Sequence, residues 1–170
     1  MAENEKPGST LWQWWLDPSI VGRATDTDKR IKGYASATSV SKGNSLTFYV
    51  TVNPAPQQFR IKFYRMGWYQ GQGGRYLDIT PWTNGVSQPA CPVDAQTGMV
   101  SCSNWTPSYT LQVPTTWVSG FFLAVLINAN GYANYVPFVV RDDSRQADIL
   151  YQAAFTTYEA YNNFGAPPSS

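Results

Sequence analysis

From Phe59 to Met66 the chain alternates without a break: Phe59, Ile61 and Phe63 fall on one side, continued by Arg65, and Arg60, Lys62, Tyr64 and Met66 on the other. Side chains of a strand point to opposite faces in turn, so this is a strand with one face in a core. Immediately after it the run MGWYQGQGGRY places Gly67, Gly71, Gly73 and Gly74 around Trp68 and Tyr69. Glycine tolerates backbone angles that other residues resist, so this part is a shaped loop, and RYLDI, Arg75 to Ile79, returns from it as a second strand.

The same alternation recurs along the chain. SLTFYVTV puts Leu46, Phe48, Val50 and Val52 on one face, and NPAP closes that strand because proline cannot join a ladder interior. IKGYASATSV (Ile31 to Val40), SYTLQV, FFLAVLIN and YANYVPFVV are further strands, with FFLAVLIN apolar on both faces and therefore central. Pro137 inside the last of them predicts an edge or a bulge. LWQWWL also alternates and reads as an N-terminal edge strand over about residues 10–16. Seven to nine short strands with almost no helical period before residue 145 predict an all-β fold, an immunoglobulin-like antiparallel β-sandwich over residues 1–147. RDDSRQAD, Arg141 to Asp148, is the one charge-rich stretch and reads as a domain boundary. Residues 148–170 then form a C-terminal extension whose ILYQAAF, Ile149 to Phe155, is an orphan strand with nothing of its own to pack against.

Charge and composition remove several function classes. Charged residues are 14% of the 170 and the net charge is +1, so no basic face predicts nucleic acid as a partner. The longest apolar run, Phe121 to Ile127, has the length of a strand and falls far short of a membrane span. Histidine is absent, which excludes Ser-His and Cys-His nucleophilic pairs within these residues. Cys91 and Cys102 lie in a turn-rich segment with no further cysteine or histidine to complete a zinc site, so a local disulfide is expected, with two free thiols as the alternative. Closing so short a loop stabilises by roughly 2–3 kcal/mol and implies an oxidising, secreted setting. The polar opening MAENEKPGST is not a secretory signal, so an exported protein has had its signal removed.

Seven Trp and eleven Tyr serve equally well as sandwich core and as stacking surfaces. Trp68 and Tyr69 either cap the end of the sandwich or line a ligand-binding loop, and Trp12 and Trp14 either stitch the N-terminus onto the sandwich or join that surface, with a polysaccharide as the candidate ligand. Asp142 and Asp143 are candidate calcium ligands, but no ladder of oxygen donors at EF-hand spacing accompanies them, so a solvated linker is expected there; GQGG at Gly71 precedes a strand and lacks the lysine and hydroxyl of a phosphate loop, and no cofactor is expected in this chain.

The run YRMGWYQGQGGR, Tyr64 to Arg75, resembles the YRMGWYGGxGGR signature of secreted bacterial proteins related to the large (beta) subunit of N,N-dimethylformamidase. ENEKPGST near the start, IKGYASATSVSKGNSLTFYV from Ile31, and RDDSRQADILYQAAFTTYEAYNNFG, Arg141 to Gly165, are similar to family blocks in the same order. The resemblance implies a β-sandwich followed at residue 148 by the start of a glutamine-amidotransferase-like catalytic domain, which hydrolyses a small amide with one iron held by two tyrosine phenolates and a glutamate. YNNFG matches the family's YNxxGG block around Tyr161 and Asn162, with Ala166 in place of the second glycine, so Tyr161, and after it Tyr158, are the residues it carries over as candidate iron ligands. With the remaining ligands expected beyond Ser170, it implies a non-catalytic accessory or scaffold domain whose partner is the catalytic domain of a longer parent. A ligand-binding module, or a subunit that self-associates by donating residues 148–165, are the alternatives.

Overall fold

The computed structural model describes residues 3–25 and 28–160. Its strands are β1 (Gly22–Arg23), β2 (Ile31–Ala35), β3 (Ser39–Ser41), β4 (Ser45–Val52), β5 (Gln57–Met66), β6 (Gly74–Ile79), β7 (Thr83–Gly85), β8 (Tyr109–Gln112), β9 (Gly120–Asn128) and β10 (Tyr132–Arg141), followed by one short helix, α1 (Phe155–Ala160). They form two sheets. The larger runs β1-β10-β9-β5-β6, with β3 also on β10 and β7 also on β5, and the smaller runs β2-β4-β8. All pairings are antiparallel except those of β1 and β3, which run parallel to β10. The all-β sandwich expected from the alternating runs is thus formed.

The inner faces meet on the side chains that the alternation singled out. Phe59, Ile61 and Phe63 of β5 are fully buried against Leu46, Phe48, Val50 and Val52 of β4 and Phe122, Ala124 and Leu126 of β9. Phe63 is the hub: its ring centroid lies 5.8 Å from Phe48, 5.8 Å from Trp117 and 6.3 Å from Phe138. The large sheet is covered on its outer face too, where Tyr64, Val125, Ile127 and Ala133 are buried beneath Ile20, Trp12 and Trp14. That second layer is why FFLAVLIN is apolar on both faces. Pro137 pairs with Leu123 in a gap where β10 has no ladder partner on its other side among the described residues, between the end of β1 pairing at Ala133 and the start of β3 pairing at Val139. Its missing N–H costs the sheet nothing there.

Three expected elements differ. Ile31 to Val40 is two strands: β2 joins the small sheet and β3 crosses to the large one, which covers part of the β10 edge. Residues 10–16 are successive turns instead of an edge strand, with Gln13 N–H donating to the Thr10 carbonyl at 3.0 Å and Leu16 N–H to that of Gln13 at 2.9 Å. Coiling the segment lays its indoles across a sheet face, which a strand hydrogen-bonded at an edge cannot do. Ile149 to Phe155 is likewise no strand, since residues 149–154 have no ladder partner among the described residues and Phe155 opens α1. Asp142 and Asp143 are taken up by Lys42, Ser144, Ser41 and Arg141 at the end of β10. No helix among the described residues is long and apolar enough to cross a membrane.

The expected disulfide joins Cys91 to Cys102. It closes the excursion between β7 and β8, which packs on the small sheet through Trp105 and the stacked pair Tyr34 and Tyr49, 4.8 Å apart. Tyr34 Oη donates to the Cys102 carbonyl at 2.7 Å, and Trp105 Nε1 to that of Pro89 at 2.9 Å.

Candidate functional site

The loop between β5 and β6 is where chemistry was expected, and its backbone is unusual. Tyr69 and Gln70 both have positive φ, +40° and +58°, and Gly71 follows at +85°. A left-handed conformation costs a non-glycine residue about 1–2 kcal/mol, so the surroundings must impose it. They do so through the Tyr69 ring, which is fully buried and carries its hydroxyl to a cluster of charges. Arg65 Nη1 donates to Tyr69 Oη at 2.8 Å, and Tyr69 Oη donates to Glu3 Oε1 at 3.1 Å. Glu3 also accepts from Arg75 at 2.6 Å and pairs with Lys6 at 2.6 Å. The other edge of the Arg65 guanidinium donates to the carbonyls of Val118 and Ser119.

These contacts fix the titration of both groups. Burial raises the Tyr69 hydroxyl, and the Arg65 hydrogen bond offsets only part of that, so it remains a neutral phenol. Burial also raises Glu3, but the Lys6 and Arg75 hydrogen bonds outweigh it and hold the carboxyl below its ordinary value.

The glycines of the loop serve close approach. A Cβ on Gly74 would lie 2.7 Å from Trp12 Cδ1, and Gly73, at φ +78°, lies against the same indole. Trp12 Nε1 donates to the Gln72 carbonyl at 3.0 Å, Gln70 Nε2 to that of Glu5 at 3.1 Å, and Ser9 N–H to that of Gly74 at 2.8 Å. Farther along the same cover, Tyr135 Oη accepts from Trp14 N–H at 2.8 Å and donates to the Trp12 carbonyl at 2.9 Å. Lys62 is neutralised by Asp17 at 2.5 Å. The loop and the outer face of β5 together clamp residues 3–20 onto the large sheet.

The four aromatic residues expected at a binding surface are therefore divided. Trp68 alone points out, 71% exposed at the crest of the loop, whereas Tyr69 is buried and Trp12 and Trp14 are packed on the outer face. They form no common stacking platform. Trp15, the third indole of LWQWWL, is exposed and edge-on to Trp14 at 5.8 Å. Sequence reasoning missed Glu3, Arg65, Arg75, Asp17 and Tyr135. Only Arg65 and Arg75 left a signal, as the basic residues bracketing the glycine loop.

Tyr161 lies outside the described residues. Tyr158 is half-exposed, its ring edge-on to Phe155 at 5.9 Å, and Glu159 is exposed. An iron bound by two phenolates and a carboxylate requires tyrosines that ionise readily and converge on an acid. Among the described residues, Tyr69 meets Glu3, and Tyr64 and Tyr135 lie within electrostatic reach of Asp17, but burial raises all three hydroxyls and both carboxylates are already paired, Glu3 with Arg75 and Lys6 and Asp17 with Lys62, which disfavours them as ligands for another cation. The described residues do not fit the metal.

The family model for the C-terminal region of N,N-dimethylformamidase beta subunit-like proteins matches residues 60–168, most of the chain. The chain belongs to this family. The match starts on β5 and takes in the whole glycine loop, so Arg65, Tyr69 and Arg75 lie within the matched residues, and Glu3, Lys6 and Trp12 lie before them. No curated protein matches the chain. Among solved structures, the alkylpurine DNA glycosylase AlkC of Pseudomonas fluorescens, bound to DNA containing an abasic site analog, is similar at 13% identity and a TM-score of 0.34, over 66% of this chain and 30% of that one. The sporulation control protein Spo0M of Bacillus subtilis is similar at 10% identity and a TM-score of 0.35, over 66% of this chain and 49% of that one. The chain spans less than half of either, and likenesses at this level fix no activity.

Proposed function

We propose that this chain is a non-catalytic scaffold module of a secreted dimethylformamidase-like protein. The observation that supports it is the fate of the glycine-loop signature: apart from Trp68 and the exposed Gln72, its large side chains are taken up by internal partners, most of which hold residues 3–20 against the sheet. Groups already saturated by internal partners have no capacity left for a substrate. The Cys91–Cys102 disulfide supports an oxidising compartment and hence export. The test is release of dimethylamine from N,N-dimethylformamide by the purified chain, with and without added ferric ion. No turnover above buffer is expected in either case, and turnover that follows the protein through purification overturns the reading.

A second reading, an assembly subunit, is favoured by one observation. Ile149, Leu150 and Tyr151 follow the charged end of β10 and stand mostly in solvent, Leu150 at 95% and Tyr151 at 70%. Three consecutive large apolar residues left so exposed are a surface that a partner covers.

A further inference from the structure

At the end of β5 remote from the glycine loop, a cleft of about 230 Å³ opens on the outer face of the large sheet, lined by Arg60, Trp82, Ser19, Val21 and the 128–131 turn. The strand period puts Arg60 on this face, because Phe59 and Ile61 take the core. The register sets Thr83 opposite Phe59, which brings Trp82 beside Arg60, and the guanidinium carbon stands 4.7 Å from the centre of the indole.

Arg60 differs from the cations around it. Lys62, two residues along the same face, is matched by Asp17 and by Ser19 Oγ, and Arg75 is matched by Glu3. The Arg60 guanidinium meets no carboxylate among the described residues, and its Nε is shut away from solvent without an acceptor. A partly desolvated cation without an anion carries a cost that a bound anion recovers. The flat fork of a guanidinium suits a carboxylate. Trp82, 43% exposed, adds an apolar indole wall to the same cleft, and the exposed Asn130 adds hydrogen-bonding capacity at its rim. A charge, a flat apolar wall and a polar rim around a space of this size match a six-membered ring that bears one carboxylate and several hydroxyls. We propose that this cleft binds a uronic-acid residue of an acidic polysaccharide, with Arg60 on the carboxylate and Trp82 against the ring. The site is independent of the scaffold reading, since it uses none of the residues of the clamp.

The experiment follows the indole N–H signals of the ¹⁵N-labelled full chain by NMR during titration with an oligogalacturonate, a neutral cello-oligosaccharide and inorganic phosphate. Saturable movement of the Trp82 signal with the oligogalacturonate alone is expected. R60Q should weaken it about tenfold or more, the loss of a charge-assisted hydrogen-bonded pair. R60K should fall between, retaining charge without the fork. Because Arg60 has no carboxylate to lose among the described residues, and its contact with the half-exposed Trp82 indole is weak, R60Q should shift the thermal midpoint little. Equal response to phosphate, no response of Trp82 to the acidic sugar, or a large drop in the R60Q midpoint each overturns the proposal.

Discussion

Single residues in this domain are constrained mainly by what the outer face of the large sheet must hold. At Gly74 a methyl group has no room, because the Trp12 indole is 2.7 Å away. G74A is expected to displace Trp12, break its hydrogen bond to the Gln72 carbonyl and cost about 1–3 kcal/mol, read as a lower thermal midpoint with altered tryptophan fluorescence. Asp17 sets a pH dependence. Burial alone would raise its carboxyl, but the Lys62 ammonium and the Ser19 hydroxyl and N–H prevail and hold it below the ordinary 3.8. A carboxyl depressed in the folded state stabilises fully above its unfolded value and loses that contribution as pH falls through the folded one. The thermal midpoint should therefore drop below about pH 4, and D17N should flatten that drop while costing about 2–3 kcal/mol at neutral pH by leaving the part-buried Lys62 ammonium without a counter-charge, with Ser19 Oγ as its remaining partner. An unchanged acid limb in D17N would show that other carboxylates govern it. None of this was legible in the sequence, where Asp17 stands in an aperiodic stretch and Lys62 is one charge among alternating positions.

At the scale of elements, legibility followed periodicity. The strands of the core, β4, β5, β9 and β10, were readable because one face of each had to be apolar over most of its length. The segment from Ile31 to Val40 was readable as extended but not as divided, because its small residues fit either sheet and only the available edges decide where it crosses. The excursion between β7 and β8 has almost no ladder of its own, its one bridge pairing Val93 with Val100, so it depends on the disulfide and on Trp105 packing. Reduction is expected to lower stability by about 2–3 kcal/mol, as a fall in the thermal midpoint in dithiothreitol, with the core strands still folded by circular dichroism. A midpoint indifferent to reduction would mean that Trp105 and Tyr34 hold the segment without the bond.

For the whole molecule, one asymmetry stands out: the N-terminal segment is clamped down on one face, while the apolar residues after β10 are left open. If those residues serve association, the chain should show a mass that rises with concentration in size-exclusion chromatography with light scattering, and a chain ending at Asp148 should stay monomeric. A concentration-independent monomer for the full chain would remove the assembly reading and leave the scaffold reading in place.

The sequence by itself determined the class of fold and the inner core, since both rest on a period that any folded arrangement must honour; it left Cys91 and Cys102 either bonded or free, and the structure joins them. The uses of its aromatic and charged residues were decided only by the tertiary structure. Trp68 faces solvent while its neighbour Tyr69 is buried, because the left-handed turn reverses the chain between them and Glu3, 66 residues away, receives the Tyr69 hydroxyl. Trp12 became a cover and Arg60 an unmatched cation for the same reason: a side chain's partner across a sheet is set by register and crossing, which no pattern along one strand records.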